Sequence, residues 1–480
     1  MKITAPKIFA LLLLSGSILV SMAAAQTTIK GTLLSVDGRT IPETIISVSR
    51  ENQTDMFDRF EDQSAESDGR YNITIQEPGI YNVTFKGIYH RRISIPLLIV
   101  NQDDIEMDLL LLPNVYNDGR FFGNEEYLQW IRVIGNFNSY DYSNGVSFSL
   151  NMDGSISAFI PVASDTVRYQ VRGLGYGRAG TMPLPMADEY DTRDDKTFES
   201  VIYRNLPQDS LEVRYVPGET IPFQRAIPAD SDHDWLNADA FISFKNSTDR
   251  YWAEPIVLIR SFRRIIPILE QDLKPGLTEA EHIEYLKRFY STDNTAAHLT
   301  ESIKRIKKEL NNPSLHQEQI AILTLGYAAA HYRLEMHQRM LQRNQLNIRD
   351  MLSAGTWGDA KSDTELVDHL AIDTELILQI PERVVPTHPV WNRAQMLPQY
   401  LLNSSDKDPV FLDYFLEVVK HHPDENVIRQ VLGALIRKQA HNYKAVEEMD
   451  VYKAIIERFG ERRLAGRAHE IFRSVNNRGW

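Results

Sequence analysis

The period of the apolar residues changes near residue 230, and this change constrains the fold more than any other feature of the 480-residue sequence. Before it, short runs alternate apolar and polar residues, as strands with one buried face do. After about residue 250, apolar residues recur three and four positions apart, as along the buried face of a helix. The sequence therefore predicts a strand-rich first half and a helical second half.

The strand-rich half contains β-favouring runs that are separated by turn signals. The runs are residues 71–75, 80–85, 93–100 and 146–150. Asp-Gly pairs occur at 37–38, 68–69, 118–119 and 153–154. Asp-Gly favours tight turns because glycine adopts positive φ freely. Short strands at this spacing predict two N-terminal β-sandwiches.

The helical half carries both apolar stripes and helix-end signals. Residues 411–419 and 427–436 each have one stripe. Capping-box spacing is present at Thr278/Glu281, Ser362/Glu365 and Ser314/Gln317, and Asp408-Pro409 is a further start signal. Gly460 follows an apolar run, as a helix C-terminal residue does. Short polar breaks between these segments predict an α-helical array of antiparallel hairpins.

The first 25 residues have the features of a secretory signal peptide. Lys2 and Lys7 precede an apolar stretch at 8–20, and three alanines at 23–25 form a small-residue cleavage site. An uncleaved membrane anchor is the alternative interpretation, so whether the peptide is cleaved stays open. No later stretch approaches the length of a membrane span. We expect an exported protein, periplasmic or extracellular.

After this peptide the composition changes divide the chain into four parts. We predict a first sandwich at 26–113, a second at 114–228, a polar linker at 229–250 and a helical domain at 251–480.

The sequence contains no cysteine and has a net charge of −13. The absence of thiols excludes disulfides, thiolate catalysis and cysteine–zinc sites. The acidity argues against nucleic-acid binding, which needs a basic surface to displace counterions.

Several motifs at the front of the chain occur in a fixed order. They are Gly31-Thr32-Leu33, Val36-Asp37-Gly38, residues 67–71, residues 78–81 and the closing run 104–112. With this order, residues 27–112 resemble the carboxypeptidase regulatory-like domain, a small transthyretin-like β-sandwich. Glu43 departs from the family, which often has glycine there. The resemblance implies an accessory domain without catalysis.

Residues 128–174 resemble an early-set β-sandwich of the glycogen-binding-module type. The resemblance is carried by the strand 131–134, Gly135-Asn136-Phe137-Asn138, the Asp153-Gly154 turn and the runs 156–160 and 167–171. Sugar-binding members of that family stack glucose on exposed tryptophan. Here Tyr140 and Tyr142 follow instead, and they are our candidate ligand-binding residues. The alternative is that Phe137 is core and the tyrosines are ordinary rim residues.

Residues 410–479 resemble the non-catalytic helical part of secreted thioredoxin-like thiol–disulfide reductases. The resemblance rests on Pro409-Val410-Phe411, His422-Pro423-Asp424 and the later run 451–460. Because the chain has no cysteine, the redox chemistry and its catalytic residues cannot be carried over.

Patterns that would indicate a metal or a catalytic centre are incomplete. His298-x-x-Glu301 and His422-x-x-Glu425 have zinc-peptidase spacing, but both lie in predicted helices. The alternating aspartates at 230, 232 and 234 lack the glycine of a calcium loop, since its place is taken by Trp235. The acid pairs Glu189/Asp191 and Asp194/Asp195 lie in a charged run typical of a solvated loop. We therefore predict no catalytic residue, no metal ligand and no cofactor.

Two hypotheses of function follow from these features. The first is an exported, non-enzymatic interaction or accessory protein that presents sandwich and helical surfaces to an unidentified extracytoplasmic protein. The alternative is a carbohydrate-binding protein that uses the 128–174 module. Trp252, Trp391 and Trp480 are candidate exposed residues for the first hypothesis, with core packing as the favoured interpretation of each.

Overall fold

The computed structural model describes residues 27–50, 58–59, 62–100, 104–114, 128–174, 181–223, 240–244, 255–256, 258–259, 268–269, 292–352, 374–394, 396–404 and 410–476. Several sequence predictions lie outside these residues. They are the signal peptide, the Asp118-Gly119 turn, the aspartates 230–234, Trp252, the start signals at Thr278, Ser362 and Asp408, and Trp480.

The front of the chain is a sandwich of two sheets. Its strands are β1 (Thr27–Ser35), β2 (Thr44–Arg50), β3 (Asp58–Arg59), β4 (Arg70–Ile75), β5 (Gly79–Gly87), β6 (Ile93–Ile99) and β7 (Ile105–Leu111). One sheet has the order β3-β2-β5-β6, and the other contains β7-β1-β4 with β1 and β7 parallel. In β4, exposed and buried residues alternate as the sequence pattern predicts. The Tyr71 ring on one sheet contacts the Phe85 ring on the other, with centroids 5.2 Å apart.

The chain returns to this sandwich after the second one. Strand β17 (Ala240–Phe244) pairs antiparallel with β7, and the two-residue β18 (Ile268–Leu269) pairs with β17. All five residues of β17 are buried and four of them are apolar, which explains why this segment of the predicted linker joins a sheet. Residues 128–223 are therefore inserted between two neighbouring strands of one sheet.

The inserted part is the second sandwich. Its strands are β8 (Arg132–Gly135), β9 (Val146–Ser147), β10 (Ser149–Leu150), β11 (Ile156–Pro161), β12 (Val167–Arg172), β13 (Thr181–Met182), β14 (Glu189–Thr192), β15 (Phe198–Ile202) and β16 (Ser210–Tyr215). The larger sheet has the order β14-β15-β12-β8-β9, and the smaller has β10-β11-β16. The β-favouring run 146–150 forms two short strands in different sheets, because β9 pairs with β8 and β10 pairs with β11. Phe148 is buried at the crossing between them.

The two sandwiches contact each other through polar and aromatic side chains. The hydroxyl of Tyr89 donates to that of Tyr190 at 3.0 Å. The ammonium group of Lys86 lies 5.1 Å from the centroid of the Phe198 ring. The inner residues of both sandwiches belong to one continuous apolar core.

The C-terminal half is helical. Its helices in the described residues are α1 (Thr292–Glu309), α2 (Gln317–Leu352), α3 (Thr374–Leu378), α4 (Ile380–Arg383), α5 (Leu397–Ser404), α6 (Val410–His421), α7 (Glu425–Gln439), α8 (Asp450–Phe459) and α9 (Arg463–Asn476). Helix α1 packs on α2, α6 packs on α8, and α7 packs on α5 and α9. The fold is thus β-sandwiches followed by an α-helical array, as the sequence predicts. None of the helices in the described part is long and apolar enough to cross a bilayer.

The helical core extends to the first sandwich. Ile80 of β5 and Leu98 of β6 are buried in the same apolar cluster as the helices. Trp391 is 1% exposed and its indole N–H donates to the Tyr414 hydroxyl at 3.1 Å. This confirms the packing interpretation of Trp391.

Several helices begin at residues whose side chains accept backbone N–H groups. The sequence predicts a helix start at Ser314, but α2 is capped by His316 instead. The Nδ1 atom of His316 accepts the Glu318 N–H at 3.3 Å, and the Gln319 side chain accepts the His316 N–H. Asp424 accepts the Asn426 N–H at 2.7 Å at the start of α7. The predicted end at Gly460 is confirmed, since its φ is +67° after α8.

Candidate functional site

The two predicted ligand-binding tyrosines lie in a loop that covers the outer face of the larger sheet of the second sandwich. The loop follows β8 and a single 3-10 turn at Asn136–Asn138. Ser139 and Tyr140 both have positive φ, 54° and 58°, so the chain reverses tightly there. This reversal points the loop back over β12 and β15.

Tyr140 is held by charged side chains on both its ring and its hydroxyl. The guanidinium of Arg193 lies 3.3 Å from the ring centroid. The hydroxyl donates to the carboxylate of Glu199, which is buried and also receives an Arg168 N–H at 2.8 Å. Burial, and then the nearby Glu199 carboxylate, raise the pKa of Tyr140 to about 12.

Tyr142 is held in a similar way. Its hydroxyl donates to the carbonyl oxygen of Trp130 at 2.9 Å. The guanidinium groups of Arg132 and Arg172 lie 5.6 and 5.3 Å from its ring centroid. Both tyrosines are half-buried and in contact with arginine, so a sugar could stack on a ring face only where the guanidinium leaves it free. Glycan binding by this pair stays a prediction.

A more accessible aromatic residue lies on the other sheet of the same sandwich. In β11, the side chains of Ile156, Ala158 and Ile160 are buried, while Phe159 is 61% exposed. Phe159 lies directly opposite Glu212 of β16, and Ser157 lies opposite Arg214. We call the outer surface formed by Phe159, Glu212 and Arg214, together with the buried Ser157 beside them, the Phe159 face.

The polar side chains of the Phe159 face are fixed by a hydrogen-bond network. The Ser157 hydroxyl donates to Glu212 Oε1 at 2.6 Å and accepts from the Asn151 amide at 2.8 Å. The same amide donates to the Ser155 hydroxyl at 2.9 Å. Because each of these groups is anchored in a hairpin or strand, the network holds the exposed Glu212 carboxylate beside the ring without further ordering.

The hairpin between β10 and β11 connects to this network. Asp153 in the turn pairs with Arg214, and its Oδ1 also accepts the Ser155 hydroxyl at 2.6 Å. The Ser155 contacts, followed by Arg214, lower the pKa of Asp153. Next to it, Met152 is fully exposed. The hairpin therefore supplies both charge and apolar surface at one end of the Phe159 face.

Sequence reasoning did not identify Phe159. The signal was present, because residues 156–160 were assigned to a strand and every second side chain of a strand lies on the same face. With Ile156, Ala158 and Ile160 directed inward, Phe159 must be directed outward. The Asp-Gly turn at 153–154, which was predicted, positions the acidic residue that pairs with Arg214.

The zinc-like and acidic patterns have structural roles where they are described. His422 is fully buried, and its Nδ1 accepts the Asp424 N–H at 3.1 Å. Its Nε2 faces the carbonyl oxygen of His388 at 3.4 Å. Asp191 pairs with Arg168, and Asp195 accepts the Thr197 N–H at 3.1 Å. Within the described ranges, no group of three or more His, Asp or Glu side chains is placed to hold a metal ion.

Comparisons with known proteins give only distant likenesses. No protein-family model matches the chain, and no curated protein matches it. A solved structure from Bacteroides uniformis, provisionally described as a carbohydrate-binding protein, is similar over 39% of this chain and 78% of its own, with 13% identity and a TM-score of 0.15. A DUF3823 family protein from the same organism is similar over 41% of this chain and 84% of its own, with 14% identity and a TM-score of 0.16. At these TM-scores neither likeness carries an argument about function.

Proposed function

We propose that this chain is an exported, non-enzymatic binding protein whose second sandwich binds a glycan through the Phe159 face. The observation that carries the proposal is Phe159 itself, a large aromatic side chain that is 61% exposed on a rigid strand. Export is supported by the signal-peptide features of residues 1–25.

The composition of the Phe159 face favours a sugar over a protein partner. A sugar ring packs its C–H groups on a flat aromatic ring and offers hydroxyls around its edge. Here one ring is bordered by an exposed carboxylate and an exposed guanidinium, which the buried Ser157 hydroxyl and Asp153 hold in place. Surfaces that bind proteins contain a larger apolar core with several buried anchors. The face therefore fits the glycan hypothesis better than the protein-partner hypothesis.

Binding to polysaccharides tests the proposal directly. The chain without residues 1–25 is applied to a panel of neutral α- and β-glucans, xylans and mannans, and affinity is measured by calorimetry. We expect Phe159→Ala to weaken binding at least about tenfold, which corresponds to about 1.4 kcal/mol. Trp130→Ala is the matched control, because Trp130 is also exposed (40%) but precedes β8 in the other sheet.

Three outcomes separate the hypotheses. Loss of binding in Phe159→Ala but not in Trp130→Ala supports the Phe159 face. Loss only in the double variant Tyr140→Ala, Tyr142→Ala moves the site to the tyrosine loop and contradicts the present proposal. No binding to any glycan, with a specific extracytoplasmic protein retained instead, favours the protein-partner hypothesis.

A further inference from the structure

We propose that Glu212 makes the Phe159 face selective for uncharged sugars over glycans that carry carboxylate groups. This inference rests on the proposed glycan-binding function and assigns a specificity-determining residue to it. Two observations support it. Glu212 lies directly opposite Phe159, and the guanidinium of the neighbouring Arg214 pairs with Asp153 rather than with Glu212.

The register of the sheet places Glu212 next to any ligand on the Phe159 ring. Residues directly opposite each other on antiparallel strands have Cβ atoms about 4.5–5.5 Å apart. Phe159 and Glu212 are such a pair, and both are exposed on the outer face. A sugar packed on the ring therefore lies within hydrogen-bonding reach of the Glu212 carboxylate.

The charge of Glu212 is not compensated by the nearest arginine of its own strand. Arg214 is two residues along β16 and on the same face, but its guanidinium pairs with Asp153. The Ser157 hydroxyl, which donates to Glu212 Oε1 at 2.6 Å, is neutral. Together with Asp153 of the adjoining hairpin, the face presents two carboxylates and one guanidinium, in a chain with a net charge of −13.

This arrangement has opposite effects on neutral and acidic sugars. Hydroxyl groups of a neutral sugar donate to the carboxylate, and such charge-assisted bonds are stronger than neutral ones. A uronate or carboxymethyl group at about 4–5 Å would instead meet a like charge in high dielectric. Coulomb repulsion at that distance weakens binding on the order of fivefold, and added salt screens it.

The test compares one glycan backbone in neutral and acidic forms. The probes are the neutral glucan that wild type binds most tightly and its carboxymethylated derivative. From the Coulomb energy at this distance, we expect wild type to prefer the neutral form about fivefold at low salt. The preference should fall at a salt concentration of about 0.5 M, because salt screens the repulsion. In Glu212→Gln the preference should fall close to one, because the amide keeps an acceptor but loses the charge.

Glu219→Gln is the matched control, since it removes the same charge from the exposed turn after β16. It should keep the wild-type preference. If Glu212→Gln keeps that preference too, or if wild type does not discriminate, the selectivity is overturned. If Phe159→Ala binds as tightly as wild type, or wild type binds no glucan, the proposed function is overturned together with this inference.

Discussion

The two halves of the molecule form their backbone hydrogen bonds over very different sequence distances. In the first sandwich, Ile29 of β1 pairs with Ile105 of β7, and Leu111 at the end of β7 pairs with Ala240. In the helical half, each bond spans about one turn, and the exposed ends are capped locally by residues such as His316 and Asp424. The strand-rich half therefore depends on close approach between distant segments, whereas the helical half depends on local order.

Substitution of Gly31 should produce the largest effect in this comparison. A Cβ on Gly31 would overlap the carbonyl oxygen of Met107 on the parallel partner strand. That carbonyl is fixed, because it also accepts the Tyr71 hydroxyl at 2.6 Å. Thr32 adds two bonds to Asp108 at 2.8 Å, so β1 cannot move away freely. We expect Gly31→Ala to lower the free energy of unfolding by about 3 kcal/mol or more.

Urea unfolding followed by circular dichroism measures this loss. The β-sheet signal should be lost at a lower urea concentration than in wild type. The midpoint of the helical signal should shift less, since the two halves are coupled through the shared core at Ile80 and Leu98. A change below about 0.5 kcal/mol would mean that β1 and β7 can separate without cost, and the proposed dependence on close approach would be wrong.

Each half contains a buried histidine that should make its stability sensitive to acid. His90 is buried in the first sandwich between the Ile88 carbonyl oxygen and the Ser35 hydroxyl, at 2.7 and 2.9 Å. Burial lowers its pKa from 6.5 to about 4. The unfolded chain therefore binds a proton that the folded chain excludes, and stability present above pH 6.5 is lost as the pH falls toward 4. The full loss is about 3 kcal/mol.

To test this expectation, the free energy of unfolding of wild type and of His90→Gln is measured from pH 4 to 8. This range covers the pKa of His90 in both the folded and the unfolded chain. The variant should have the flatter curve, whatever its stability at pH 8. His421→Gln, at an exposed position, is the control and should keep the wild-type slope. Equal slopes for wild type and His90→Gln would show that His90 is not the group responsible.

In the helical half the corresponding group is His422, whose pKa burial also lowers. Its Nδ1 accepts the Asp424 N–H, so a proton there would face a donor. The direction is the same as for His90, with the stability lost below the pKa of a free histidine. The acceptor lost on protonation serves the turn immediately before α7. The comparison thus predicts acid sensitivity in both halves, with disruption across distant strands around His90.

The sequence predicted those parts of the fold whose patterns are local. The alternation in 71–75 gave β4, and the stripe in 427–436 gave α7, because period and burial are set within one element. It did not predict β17, since a five-residue, mostly apolar segment carries no sign of a partner about 130 positions earlier. The same limit explains the split of 146–150 into two sheets.

The candidate site was predicted only in part. The strand run 156–160 and the Asp153-Gly154 turn were predicted, and both contribute to the Phe159 face. Tyr140 and Tyr142 were chosen because of their position after Phe137. Their rings contact arginines at positions 132, 172 and 193, and sequence spacing alone does not show that these residues lie together in the fold. Glu212 was missed for the same reason, because its relation to Phe159 exists only in the paired strands.

Substitution of Gly466 should give the smallest effect, and one of opposite sign to Gly31→Ala. Gly466 is exposed within α9, and a Cβ there would meet nothing within 4 Å. Alanine restricts the unfolded chain and favours the helix, so Gly466→Ala should raise the free energy of unfolding by about 0.5–1 kcal/mol. The same chemical change thus stabilises where order is local and destabilises where two distant backbones meet. Parallel urea titrations of the two variants decide the point, because a loss of stability in both would attribute the Gly31 effect to alanine itself rather than to Met107.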